Sequence, residues 1–294
     1  MTETNAMRLA SWSWGGRDHV GTISPDGREA TPLAVRDASL GALPLIQALA
    51  RDEPLPQPSG ARLPVEVVTL RAPLPRPLRS LFCIGRNYRA HATELASTVF
   101  RETMPEKDPW PIVFGKLGEC VVGPHDVVRL PSAAISVQID YESELAVVIG
   151  RGGRDIPRSR AMDHVFGYTI VNDVTARDVQ MRHQQWELGK SFDGFCPMGP
   201  WIVSADELDG RATRVRGWVN GALRQDGLTK DMIFDIPTLV ETCSRGITLH
   251  AGDVIATGTP AGVGMGQTPP QWLRSGDRVR IEIDGIGAIE NRFE

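Results

Sequence analysis

The stretch "QIDYESELAVVIG" (residues 138–150) decides how the rest of the chain is read. Its second half, residues 145–149, is apolar on both faces, as expected of a strand covered on both sides. Its first half alternates Asp140, Glu142 and Glu144 with Ile139, Tyr141, Ser143 and Leu145. Side chains at i, i+2 and i+4 share one face, so an unbroken strand here aligns three carboxylates roughly 7 Å apart. A solvated acidic face is one reading. Like charges on one strand face repel, however, and a strand running on into "LAVVIG" is buried at that end. A buried carboxylate needs a pairing cation or a metal, and an oxygen-only donor set selects Mg2+, Mn2+ or Ca2+ over Zn2+.

Working outward, "GYTIVNDVTARD" (167–178) reads as a strand running into Asp173, with a helix starting at Thr175. Asp173 is then either a third acidic ligand at a strand end or the N-cap of that helix. In "CIGRNYRAHATEL" (83–95), His91 and Glu94 stand three apart and share a helix face. A carboxylate beside an imidazole orients it as a general base; the same spacing also describes a surface pair on a solvated helix. Lys190, in "ELGKSFDGFCPMGPWIV", and Lys116, closing "PIVFGK", sit in apolar or Gly-rich surroundings. Each can neutralise an anionic substrate or a developing enolate, or simply snorkel. "ATGTPAGVG" (256–264) can present backbone N–H groups and a hydroxyl to a carboxylate. No GKT or GKS follows it, and "GVGMGQ" is too short for a dinucleotide fingerprint.

The 294 residues are 41% hydrophobic and 23% charged with net charge −4, enough for one large domain or two unequal ones. Without a Lys/Arg run, nucleic acid is excluded as an expected partner, and the apolar runs are too short for a membrane span. The N-terminus lacks the basic and apolar regions of a secretory signal. Cys83, Cys120, Cys196 and Cys243 lie far apart without CxxC spacing, which reads as reduced, mostly buried thiols in a cytoplasmic protein. The proline-dense "LRAPLPRPLRS" (70–80) separates a small N-terminal module (1–75) from a main domain (76–294). Residues 97–111, "STVFRETMPEKDPWP", read as a lid or binding loop. Strand candidates such as "SLFCIG", "PIVFG", "YESELAVVIG", "VFGYTIVND" and "DRVRIEIDGIGAIENRF" outnumber helical ones ("ASLGALPLIQALARDE", "YRAHATELA", "TARDVQMRHQQ", "IPTLVETCSRG"). The fold class is therefore α+β and β-dominated.

The motifs "IGRNYRAHATE", "DYESELAVVIG", "VNDVTARDVQ", "GKSFDGFCPMGP" and "GTPAGVG", in this order, resemble the fumarylacetoacetate hydrolase family, in its acylpyruvase and 2-hydroxyhepta-2,4-diene-1,7-dioate isomerase branch. The resemblance covers residues 78–294; the N-terminal part is similar to the small variable domain many members carry. It implies a mixed β-roll catalytic domain with an N-terminal α/β module, a homodimer, and Mg2+ or Mn2+, with Ca2+ as a crystal substitute. The metal ligands it implies are Glu142, Glu144 and Asp173, which leaves Asp140 either behind the ligands or at the surface. It places catalysis on His91, Glu94 and Lys190, and substrate binding on Arg177, Gln180, Thr259 and Lys116. At Lys116 the sequence departs from the family, reading "FGKLGEC" where a proline is usual. The activity implied is hydrolysis of a carbon–carbon bond in a 2,4-dioxo acid of the acylpyruvate or fumarylpyruvate type, releasing pyruvate and a carboxylic acid. Decarboxylation of oxaloacetate, isomerisation of a hydroxymuconate-type dienol acid, and an inactive metal-binding paralogue are the alternatives.

Overall fold

The structure, a computed structural model, describes residues 6–96, 109–182 and 185–294. Its principal strands are β1 (Arg8–Trp14), β2 (Leu81–Gly85), β3 (Ile112–Lys116), β4 (Ser143–Ile149), β5 (Val165–Asn172), β6 (Cys196–Ser204), β7 (Arg214–Val219), β8 (Ala222–Leu228), β9 (Val254–Ala256), β10 (Arg278–Ile283) and β11 (Gly287–Arg292). Short helices intervene: α1 (Leu43–Ala50), α2 (Arg89–Ala96), α3 (Arg177–Gln180), α4 (Glu187–Lys190) and α5 (Ile236–Ser244). The fold is thus strand-dominated α+β with a mixed sheet.

In the large sheet the order is β1–β6–β5–β4–β9–β2–β3. Neighbours are antiparallel except β9 and β2, which run parallel with Ile255 opposite Phe82. A second, antiparallel sheet runs β8–β7–β10–β11. β4 is buried along its whole length. Leu145, Val147 and Ile149 belong to one apolar cluster, and Ala146 and Val148 to the cluster on the opposite face. That is why the strand is apolar at every position: each Leu or Val contributes about 1.5–3 kcal/mol only when both faces are covered. The N-terminal segment joins the same sheet, with Arg8 opposite Val203 and Leu9 opposite Ile202. Its Leu9, Val20 and Ile46 share a core with Leu81, Cys83 and Val148.

The structure corrects several sequence expectations. The strand over 138–150 is not continuous: β4 starts at Ser143, and Ile139–Asp140 forms a separate two-residue strand paired with Thr175–Ala176. The three carboxylates therefore do not line one face. The helix expected from Thr175 starts at Arg177 and is four residues long, with Ala176 at its N-cap and no side-chain cap, so Asp173 is not capping it. Residues 278–292 form a hairpin rather than one strand, and α4 was not apparent from the sequence. All four cysteines are buried and free. Of the expected lid or binding loop at 97–111, residues 97–108 lie outside the described residues. No helix among the described residues is long and apolar enough to cross a membrane.

Candidate metal and proton-transfer site

Antiparallel pairing of β4 with β5 places Ser143 opposite Asn172, so the start of one strand and the end of the other meet at one end of the sheet's central strands. The residues just outside that pair are Glu142 and Asp173, whose backbones are joined by a hydrogen bond from Asp173 N–H to the Glu142 carbonyl of 2.9 Å. The Asn172 side-chain oxygen also accepts from the Glu142 N–H at 3.1 Å. Glu144, one turn of the pleat into β4, accepts from the Gly258 N–H at 2.9 Å. Carboxylate oxygens of Glu142, Glu144 and Asp173 then lie within 4.8 Å of one another, and all three residues are buried.

Buried cations answer this charge. Lys190 Nζ donates to Glu142 Oε2 and to Asp173 Oδ2, each at 2.7 Å. Lys116 Nζ pairs with Asp173 Oδ1 at 2.8 Å and donates to the Val174 and Lys190 carbonyls. Arg177 Nη2 reaches Glu142 Oε1 at 2.8 Å. Burial works to raise the Glu142 carboxyl, but Lys190 and then Arg177 overcome it and bring the pKa down to about 2. Among the described residues no cation makes an ion pair with Glu144, and the pull of Lys190 on it is outweighed. Burial, then the charges of Asp173 and Glu142, push its carboxyl well above the ordinary range. Burial opposes the charge on Lys190, yet Asp173 and Glu142 hold it above its usual value, so it stays an ammonium. Among the described residues, with Asp140 included, four buried carboxylates face three buried cations. The cluster is one charge short of neutrality unless Glu144 is protonated or a cation is bound.

The imidazole shares a narrow cleft lined by His91, Glu142, Glu144, Arg177, Gln180 and Lys190 together with Arg86, Phe114, Trp186 and Thr259. His91 Nδ1 and Glu94 Oε2 are 3.1 Å apart. With Nδ1–H donating to the carboxylate, Nε2 carries the lone pair that the cleft can use. Glu94 is itself seated by the Gly262 N–H at 3.0 and 3.2 Å. Gly266 packs so closely on it that a Cβ there would lie 2.1 Å from Glu94 Oε1. His91 is thus buried and Glu94 half-buried and anchored, which is not a solvated surface pair. Gln180 Oε1 accepts from Arg177 Nη1 at 3.3 Å. The Thr259 hydroxyl donates to the Ser143 carbonyl at 3.0 Å and accepts from Gln225 Nε2 at 2.7 Å, so its hydrogen is engaged within the protein. Lys116 does not line the cleft; fully buried, it sits behind Asp173.

Residues 80–294 match the family model described as fumarylacetoacetate (FAA) hydrolase C-terminal. The chain belongs to the fumarylacetoacetate hydrolase family. Among relatives, the oxaloacetate tautomerase YisK of Bacillus subtilis (strain 168) is 52% identical over 227 residues, covering 77% of this chain and 73% of that protein. The fumarylacetoacetate hydrolase of Exiguobacterium antarcticum has a solved structure that superimposes with a TM-score of 0.82 at 39% identity, covering 98% of this chain and 99% of the other. The 2-hydroxyhepta-2,4-diene-1,7-dioate isomerase of Mycobacterium marinum superimposes with a TM-score of 0.77 at 33% identity, covering 98% of both chains.

Members of the fumarylacetoacetate hydrolase family typically use a divalent metal, and the residues here fit one. The donor set is all oxygen, its members are close together and buried, and one of them, Glu144, has no ion-pair partner among the described residues. Several supporting residues escaped the sequence reading. Asn172 fixes the Glu142 backbone, and Gln225 ties Ser143 to Thr259 and Pro260. Asn87 binds the Thr257 carbonyl and both backbone groups of Phe234. Phe114 stacks edge-on against Trp186 at 5.1 Å and lies 5.2 Å from Lys190 Nζ. Amides and aromatics at these positions carry no spacing signal.

Proposed function

We propose that this chain is a divalent-cation-dependent enzyme that interconverts the enol and keto forms of an oxaloacetate-type 2-oxo dicarboxylic acid. The observation that supports it most directly is the meeting, within one small cleft, of an imidazole backed by an anchored, half-buried carboxylate with a buried acidic triad carrying a bound ammonium group. A cation held by Glu142, Glu144 and Asp173 would supply Lewis-acid stabilisation of negative charge on the substrate oxygen. Lys190 adds a fixed positive charge beside that oxygen. Arg177 and Gln180 orient the substrate carboxylate. His91 Nε2 accepts the proton leaving the enol oxygen and delivers a proton to C3, and Glu94 stabilises the imidazolium in between. One proton leaves oxygen and one arrives at carbon, with no carbon–carbon bond broken. Tautomerisation, named for the Bacillus subtilis relative, and isomerisation, named for the Mycobacterium marinum one, are both proton relocations. They support this reading over carbon–carbon hydrolysis.

Hydrolysis remains the second reading because of the Exiguobacterium antarcticum protein; there His91 would deprotonate a water attacking the distal carbonyl. An ultraviolet assay separates the two. Enol-oxaloacetate absorbance should decay faster with enzyme and Mg2+, with no pyruvate formed. Pyruvate from oxaloacetate would show a decarboxylase, and loss of an acylpyruvate a hydrolase. The expected homodimer belongs to the same reading and is checked by light scattering.

A further inference from the structure

Asp140 is the carboxylate of the opening stretch that neither the triad nor the proton transfer uses, yet it is completely buried and its oxygens are heavily engaged. Oδ2 accepts from Arg177 Nε at 2.9 Å and from the Met265 N–H at 3.0 Å, and lies 2.9 Å from Arg177 Nη2. Oδ1 accepts from the Gly264 N–H at 2.7 Å and from its neighbour Tyr141 at 2.9 Å. Each partner leads to a different half of the cleft. Arg177 Nη2 also reaches Glu142 Oε1. Gly264 and Met265 belong to the turn whose Gly262 N–H and Gly266 backbone seat Glu94, and Glu94 holds His91.

We propose that Asp140 is a positioning residue that locks the Gly262–Gly266 turn to the Arg177–Glu142 pair, and so sets where the His91–Glu94 pair stands relative to the acidic triad. The geometry requires an anion there. The carboxylate receives donors only, from an arginine and three backbone N–H groups, and an amide in its place would turn its own NH2 onto one of them. The need for space is equally tight. A Cβ at Gly264 would lie 2.0 Å from the Gln271 carbonyl and 2.7 Å from Asp140 Oδ1. Tyr141 adds a further tie, its hydroxyl donating to the Gly262 carbonyl at 2.8 Å.

The proposal rests on the proton-transfer role given to His91 and Glu94 only for its effect on rate, so the test has a structural arm and a kinetic arm. In the structural arm, hydrogen–deuterium exchange is followed in Asp140→Asn and, in case that variant folds poorly, in Gly264→Ala. Amides of α2, which Asp140 does not touch, should exchange about tenfold faster, together with those of the 262–266 turn. Faster exchange in the turn with α2 unchanged overturns the proposal. In the kinetic arm, Asp140→Asn and Glu94→Gln are combined in a double-mutant cycle on kcat. Asp140→Asn alone should lower kcat about 10- to 100-fold with KM within about threefold, and should cost less than about threefold more in the Glu94→Gln background. Fully multiplicative losses, or an unchanged kcat in Asp140→Asn, overturn it. If Glu94→Gln alone leaves kcat intact, the base assignment fails, while the exchange arm still decides the role of Asp140.

Discussion

The two halves of the cleft are built on different scaffolds. The acidic triad sits on the paired ends of β4 and β5, in the middle of the large sheet, where backbone ladder bonds and two apolar layers hold it. The His91–Glu94 pair sits on α2, an eight-residue helix too short to be stable alone, and its seat is a glycine-rich turn. The first half, taken with Asp140, stores charge in place, with four buried carboxylates against three buried cations among the described residues. The second half carries a single dyad whose position depends on tertiary contacts. Disturbing the first should therefore damage folding and metal binding together, and disturbing the second should damage rate alone.

The largest effect is expected from Asp173→Ala, which removes the partner of Lys116 and one of the two partners of Lys190. Leaving a buried cation uncompensated costs about 3–5 kcal/mol, so urea unfolding should show a loss of that size, and calorimetry should show no Mg2+ binding. A variant as stable as the parent would mean that the triad is not held by its ion pairs. Next is His91→Ala, expected to lower the rate by about 10²–10⁴ while the Mg2+ dissociation constant stays within about threefold. Near-normal turnover would remove His91 from the mechanism and the contrast with it.

The same division explains what the sequence made visible. Asp140, Glu142 and Glu144 stood out because charge leading into an apolar strand is physically anomalous, Asp173 as a carboxylate at a strand end, and His91 with Glu94 as an i, i+3 pair; it was the family resemblance that singled out Glu142, Glu144 and Asp173 as the metal set and His91 with Glu94 as the dyad. β4 was legible as a doubly covered strand because it is apolar at every position. The break before Ser143 was not, since Tyr141 and Glu142 satisfy strand alternation as well as their neighbours do. Only the pairing of Ile139–Asp140 with Thr175–Ala176, a contact between distant segments, reveals it. Lys116 looked like a substrate contact because local sequence does not tell which side of Asp173 a lysine approaches. Asn87, Asn172 and Gln225 act through long-range bonds to backbone groups, which leave no local pattern at all.

Gly266→Ala sharpens the comparison without touching charge. The added methyl meets Glu94 Oε1 at 2.1 Å and must displace it. The expected result is a roughly tenfold fall in kcat, since a general base must stay within hydrogen-bond reach of its proton, with Mg2+ affinity and KM almost unchanged. A parallel loss of Mg2+ binding would show that the two halves are less separable than their scaffolds suggest.

The smallest and most graded effect concerns pH. In the metal-free protein, burial and then the charges of Asp173 and Glu142 hold the Glu144 carboxyl well above its ordinary range. Binding a cation requires that carboxylate ionised, so below its folded pKa each ion bound should displace about one proton, and affinity should fall about tenfold per pH unit. Glu142, at about 2, is already ionised near neutrality and contributes no proton. Calorimetric titrations in two buffers of different ionisation heat measure that proton directly. The sign for stability is opposite. A carboxyl that binds its proton more tightly folded than unfolded adds stability below the unfolded value, and that contribution is lost as pH rises through the folded one. Without metal, unfolding should therefore become easier as pH climbs through the Glu144 transition, and Mg2+ should remove that slope. A flat Mg2+ affinity across that range would mean that the buried cations, rather than a proton on Glu144, balance the triad.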